Sequence, residues 1–206
     1  ITRAARGDLN GAVREYRIAL GLDPDNARAH YNLGNALMGR RDLAGAIREY
    51  QHAIRIDPRL VHAHSNLGAA LFQAGDTRGG ILKFREAIRI DPGFADAHYN
   101  LCYALKVIGD LDGEIRSCRR VLRIDPKDPR AHGVMGEGLI SRGDFRGAGQ
   151  SLKRCLELLP AGSPAQGYAV SLSRRAERMS ILDANLLRIL SGEVEPADAA
   201  ERIALG

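Results

Sequence analysis

The sequence predicts an all-α solenoid of antiparallel helix pairs. Three observations carry that expectation. Proline recurs at Pro24, Pro58, Pro92, Pro126 and Pro160, and every gap is 34 residues. A fixed period of this size means that one structural unit has been copied along the chain. Other positions keep the same register: Leu33, Leu67, Leu101 and Met135; His30, His64, His98 and His132; Tyr50, Phe84, Cys118 and Leu152; and Gly34, Gly68, Cys102 and Gly136. Within each period, two amphipathic stripes at helical spacing are separated by turn signals.

The elements follow in order. Residues 1–26 read as a partial first unit. Gly7-Asp8 marks its turn, and Leu9, Ala12, Val13, Tyr16, Ala19 and Leu20 form the stripe of its second helix. Residues 27–60 form the first complete unit. Arg28, Asn32, Asn35 and Gly39 share one face of its first helix, and His30, Leu33, Gly34 and Leu37 form the adjacent apolar face. Asp42 is an N-cap for the second helix. Leu43, Ala46, Ile47, Tyr50, Ala53 and Ile54 give that helix its buried stripe, and Asp57-Pro58 ends it. Small residues such as Gly34 and Ala46 let the two helices approach closely. One such hairpin cannot bury its own apolar face, whereas stacked copies share a continuous core.

The same grammar recurs in units 61–94, 95–128 and 129–162, with internal turns at Gly75-Asp76, Gly109-Asp110 and Gly143-Asp144. Asp128-Pro129 and Ser163-Pro164 place an N-cap before proline at the first helical position. Gly133, Gly136, Gly138, Gly147 and Gly149 fall inside the helices of unit 129–162 and are expected to weaken it. Past Pro160 the register fails. In residues 163–206, Ala165, Tyr168, Ala169, Leu172, Ala176 and Met179 form the stripe of a capping helix. Two short helices, Ile181–Leu190 and Pro196–Leu205, are expected after it.

Bulk composition narrows the function classes. The chain has 206 residues, 45% hydrophobic and 27% charged, and no apolar run of about 18 residues that would span a membrane. Three cysteines without paired spacing read as buried reduced thiols in a cytoplasmic protein. Net charge is +5, carried mostly by arginine, a skew that suits a bacterial source. The chain starts at Ile1 and stops inside a predicted helix, so it reads as a piece of a longer polypeptide.

The stretch HYNLGNAL…DLAGAIREYQHAIRIDP, from His30 to Pro58, resembles the tetratricopeptide repeat (TPR) family, whose pattern sets Leu-Gly, Tyr, Ala, Phe, Ala and Pro at fixed offsets in 34 residues. The resemblance covers roughly residues 1–160. It departs where His replaces the usual Trp at His30, His64, His98 and His132, and where Cys102 and Glu114 replace small residues. It implies a right-handed superhelical array whose first helices line a concave groove and whose second helices form the convex surface. The tail faintly resembles segments that follow TPR arrays in large bacterial serine/threonine kinases.

Candidate sites follow from these faces. The periodic histidines are not a metal site. Equivalent residues on stacked helix pairs lie about 10 Å apart, whereas zinc needs its ligands at about 2 Å. His62 and His64 point to different sides of one helix. No nucleophile–base pair is legible, and Gly136-x-Gly138 follows no strand, so no catalytic residue and no cofactor are expected. The basic residues Arg14, Arg48, Arg55, Arg85, Arg89, Arg116 and Arg123 read as a solvated convex face interleaved with Glu15, Glu49 and Glu86. With few aromatics, this argues against nucleic acid.

Asn32, Asn66 and Asn100 occupy the same place in three successive first helices, and Asn35 adds a fourth amide. A side-chain amide carries an acceptor and two donors and pairs with any peptide unit. In arrays similar to those of protein O-glycosyltransferases, Asn at matching places does this. The candidate groove residues are therefore Asn32, Asn35, Asn66 and Asn100 with Arg28, His62, Gln73 and Tyr103. The rest of that face carries Ala69, Asp96, Val107, Arg130, Val134, Glu137 and Ser141. It lacks the paired Lys and Arg that clamp a carboxylate terminus in TPR chaperone adaptors. The expected function is a non-catalytic module that binds an extended peptide or protein segment, with weak self-association through the incomplete first unit. The alternatives are a targeting array of a larger glycosyltransferase-like or kinase-like enzyme, and a self-assembling scaffold.

Overall fold

The computed structural model describes residues 8–191. Among them run ten helices and no strand: α1 (Leu9–Leu22), α2 (Ala27–Gly39), α3 (Leu43–Ile56), α4 (Val61–Gln73), α5 (Thr77–Ile90), α6 (Ala95–Val107), α7 (Leu111–Ile124), α8 (Pro129–Arg142), α9 (Phe145–Leu158) and α10 (Pro164–Leu190). The fold is all-α, and the chain divides into two compact units, Ile1–Ile124 and Asp125–Gly206. In the first, α2 pairs with α3, α4 with α5 and α6 with α7, while α3–α4 and α5–α6 contacts join the pairs and α1 covers α2. In the second, α8 pairs with α9, and α10 packs on both.

Each pair closes around one notch. A Cβ on Gly34 would lie 2.6 Å from the Tyr50 ring, one on Gly68 would lie 2.6 Å from the Phe84 ring, and one on Gly136 would lie 2.5 Å from Leu152. Real Cβ atoms do not approach that closely, so a bulky side chain on one helix occupies the space that a missing Cβ leaves on the other. At the same register of the α6–α7 pair stand Cys102 and Cys118. They are fully buried and joined as a disulfide, with their Cα atoms 5.5 Å apart. This corrects the expectation of three reduced thiols. Only Cys155 is free, and burial raises its thiol pKa, with the Asp128 carboxylate adding to the shift. The sequence hid the bond because 16 residues separate the cysteines, a spacing that only the hairpin turns into contact.

The helix starts share one device. Asp8, Asp42, Asp76, Asp110 and Asp144 each accept a hydrogen bond from the backbone N–H three residues on, at 2.8–2.9 Å. The residue that donates is always glycine: Gly11, Gly45, Gly79, Gly113 and Gly147. A Cβ on Gly45, Gly113 or Gly147 would lie 2.5 Å from the capping carboxylate, so the cap and the glycine go together. Gly147, which sequence reasoning counted only as a weakness, has this role. The residue before each of the last three caps, Gly75, Gly109 or Gly143, is left-handed with φ of 92°, 77° or 84°. Arg41 holds the same place at φ 62°, a conformation that costs a non-glycine residue about 1–3 kcal/mol.

The histidines are turn clasps. His30, His64, His98 and His132 each donate from Nε2 to the carbonyl of the proline six residues earlier, at 3.0–3.1 Å. Each His thus fastens the repeat proline to the following helix. Burial depresses the His98 pKa, and the Pro92 carbonyl acts the other way.

The capping helix differs from expectation. α10 runs unbroken for 27 residues to Leu190, so Ile181–Leu190 is its continuation and not a separate helix. No proline or glycine interrupts residues 168–190, and nothing there stops the helix. Ala169, Leu172 and Ala176 are buried, whereas Ala165, Tyr168 and Met179 of the predicted stripe are exposed. The expected helix Pro196–Leu205 and Gly7 of the first turn lie outside the described residues.

Two predictions follow from the notches and the bridge. A Cβ on Gly149 meets nothing within 4 Å, so Gly149→Ala raises unfolding free energy by about 0.5–1 kcal/mol. Gly136→Ala forces Leu152 aside and lowers it by about 1–3 kcal/mol. Urea denaturation of the two variants reads both signs. Thiol titration of the denatured, unreduced chain finds one thiol, Cys155, and three after reduction. Reduction lowers stability by about 3 kcal/mol.

Candidate functional site

The first unit presents α2, α4 and α6 with the asparagines at matching positions, and the structure ties several of them together. Asn66 donates from Nδ2 to Asn35 Oδ1 at 2.8 Å and to the Tyr31 hydroxyl at 3.4 Å. The Tyr50 hydroxyl donates to the same Asn35 oxygen at 2.8 Å. Asn100 repeats the step one unit later, donating to Ser65 Oγ at 3.4 Å, again 35 residues back. Asn32 holds the equivalent place on α2, half-buried, and among the described residues no such bond engages it. The amides therefore link neighbouring first helices as well as facing outward.

Hydrogen-bond arithmetic shows what is left over. Asn35 Oδ1 accepts twice and Asn66 Nδ2 donates twice, which uses both lone pairs of one and both hydrogens of the other. Of these two amides, the groups still unspent are Asn35 Nδ2 and Asn66 Oδ1. Both residues border a pocket of about 160 Å³ completed by Met38, Tyr50 and Ala69. Tyr50 is 1% exposed. Burial, and then the Tyr31 phenol, push its pKa well above the ordinary tyrosine value, with the Asn66 amide acting the other way. The phenol thus stays a neutral donor and holds the Asn35 carbonyl in place.

The other predicted residues are more scattered. Arg28 and Gln73 are exposed at the start of α2 and the end of α4. His62 is exposed between two rings, edge-on to Tyr31 at 6.3 Å and to Phe94 at 4.9 Å. Tyr103 is 43% exposed, edge-on to Phe72 at 5.9 Å, with Lys106 Nζ 6.0 Å from its ring centre. Sequence reasoning missed Tyr31, Met38 and Ser65. The period itself held the signal, because residues about one repeat apart on first helices face each other across the stack. No group of three metal-ligating side chains occurs among the described residues, and no helix there is long and apolar enough to cross a membrane.

Repeated helix pairs of 34 residues, closed by a glycine notch or a disulfide, with polar residues along the first helices define a helical-repeat interaction scaffold. The chain belongs to the tetratricopeptide repeat family: the TPR repeat pattern matches residues 2–39 and 41–75, and a second tetratricopeptide repeat pattern matches residues 71–138. It resembles a crystal structure of MamA, at 27% identity over 76% of this chain and 91% of that one, with TM-score 0.70. MamA from Desulfovibrio magneticus RS-1 shares the fold at 20% identity and TM-score 0.69, covering 75% of this chain and 88% of that one. YrrB, described as a TPR protein with an unusual peptide-binding site, does so at 19% identity and TM-score 0.66, covering 85% and 86%. No curated protein matches the chain. This family membership supports a protein-interaction module.

The Asn35 junction yields a stability test. Asn35→Ala strands the buried Tyr50 hydroxyl and one Asn66 hydrogen, and lowers unfolding free energy by about 1–3 kcal/mol. Asn32→Ala changes it by less than about 0.5 kcal/mol. Denaturation midpoints of the two variants measure the difference.

Proposed function

We propose that the first unit grips an extended segment of a partner protein along α2, α4 and α6, with no catalytic step of its own. One observation carries the reading. Asn35 Nδ2 and Asn66 Oδ1, a donor and an acceptor, remain unspent beside one small pocket. A peptide unit presents the complementary acceptor and donor. Asn32 and Asn100 supply further amides at the same register. Stacked first helices advance by about 10 Å per repeat, close to the length of three residues of extended chain at about 3.3 Å each. Successive amides would thus meet every third peptide unit. The Met38 and Ala69 walls would take an apolar side chain, while Arg28, His62, Gln73 and Tyr103 would border the path.

The experiment selects binding peptides from a displayed library and titrates the best of them against wild type and an Asn32→Ala/Asn100→Ala double variant. These two positions spare the structural Asn35–Asn66–Tyr50 junction. Each lost amide contact is worth about 0.5–1.5 kcal/mol, so the double variant binds roughly 5- to 150-fold more weakly. Its helical content stays the same. Affinity falls little as salt rises, because amides carry no charge. An unchanged affinity in the double variant would falsify the groove reading.

A further inference from the structure

The outward faces of the second helices differ in how closely their arginines are grouped. On α5, Arg89 is neutralised by Glu86 at 2.6 Å, and on α9, Arg154 by Glu157 at 2.9 Å. On α3, Glu49 sits beside Arg48 and binds His30 at 2.7 Å. α7 groups four arginines on one face. Arg116, Arg119, Arg120 and Arg123 follow at i, i+3, i+4 and i+7, which is one helix face. Its carboxylates are Asp112 in the first turn and Glu114, which is 4% exposed. Among the described residues Arg116, Arg119 and Arg123 meet no carboxylate, and Arg120 donates only to the Pro92 carbonyl, at 3.4 Å.

Such a face is internally repulsive. Pairs 116/119, 116/120, 119/123 and 120/123 each set like charges at i, i+3 or i, i+4, which destabilises a helix. The helix dipole favours cations only within the last turn, so it compensates Arg123 and leaves Arg116 and Arg119 unrelieved. Three of these arginines, with Leu122, line a surface depression of about 580 Å³. A guanidinium holds a carboxylate or phosphate through two parallel hydrogen bonds, so uncompensated guanidinium groups around a depression fit an anionic partner.

We propose that this face of α7 docks an acidic helical segment of a partner protein, its carboxylates on Arg116, Arg119 and Arg123 and an apolar side chain over Leu122. The geometry favours protein over nucleic acid. The stripe spans about 10 Å, two helical turns, and matches carboxylates at i, i+3 or i+4, and i+7 of a second helix. Nucleic-acid binding gains its strength from many phosphate contacts and stacked bases. Here the run of four arginines on one helix face is confined to α7, which carries no aromatic residue, and Arg89 on α5 is paired with Glu86. This surface lies on the second helices and is separate from the amide-lined first helices.

The test is fluorescence anisotropy with a labelled helical peptide carrying Glu at i, i+3 and i+7 with Leu between, and with a labelled single-stranded DNA of equal charge. The protein is wild type, an Arg116→Gln/Arg119→Gln/Arg123→Gln variant, and a control of equal charge change, Arg14→Gln/Arg48→Gln/Arg85→Gln. The α7 variant is expected to lose at least about tenfold in peptide affinity and the control less than about threefold, with circular dichroism unchanged in both. Equal losses in the two variants overturn the proposal, because they report net charge alone. Tighter binding of the DNA than of the peptide, lost in the α7 variant, overturns it in favour of nucleic acid. No wild-type binding of the peptide up to about 1 mM overturns it outright.

Discussion

Every helix pair in this protein depends on a single close approach between two backbones. In three of the repeat pairs one helix lacks a Cβ at that point and the other supplies a side chain large enough to fill the space. Gly34 with Tyr50, Gly68 with Phe84 and Gly136 with Leu152 solve this by volume. Cys102 with Cys118 solves it by a covalent bond. The two solutions are not interchangeable one residue at a time. A glycine opposite a cysteine leaves a void, and a cysteine opposite a phenylalanine collides. The α6–α7 pair therefore makes both changes together, and its register is held by a bond where its neighbours rely on packing.

The notch brings two helices together, and the turns decide the angle at which the chain enters and leaves them. Aspartate caps with glycine at the third helical position sharpen each entry. The histidine-to-proline-carbonyl bond fastens each exit to the following helix. The caps satisfy N–H groups that a helix start would leave unpaired, and the histidines satisfy proline carbonyls of the turns. Both also recur at the period of the repeat, so each unit ends as the next begins. With the ends secured, the outer surfaces of the first helices are free to carry polar groups, and that is where the asparagines stand.

The asparagine face shows how a polar stripe is tied into the packing beneath it. Tyr50 fills the Gly34 notch and its hydroxyl fixes Asn35, which in turn orients Asn66. The core thus orients two amides that border the small pocket. The arginine face of α7 is the reverse case. Its charges are not used up by neighbours, and what they do is decided by what arrives from outside.

Much of this was legible in the residue order. The 34-residue period, the helix limits within the repeats, the aspartate caps and the small-against-large notch are local or periodic. They depend on steric rules that act within one turn or one repeat, so a one-dimensional pattern carries them. The matching positions of Asn32, Asn66 and Asn100 were legible for the same reason. Only the tertiary structure decided how these positions are spent. The Asn66–Asn35–Tyr50 junction depends on three helices meeting at hydrogen-bond distance. The pairing of Cys102 with Cys118, the proline carbonyl beneath each histidine and the unbroken course of α10 depend likewise on which groups become neighbours once chains are packed. A hydrogen bond or a disulfide forms over a few tenths of an ångström, and periodicity places a residue on a face without resolving such a distance.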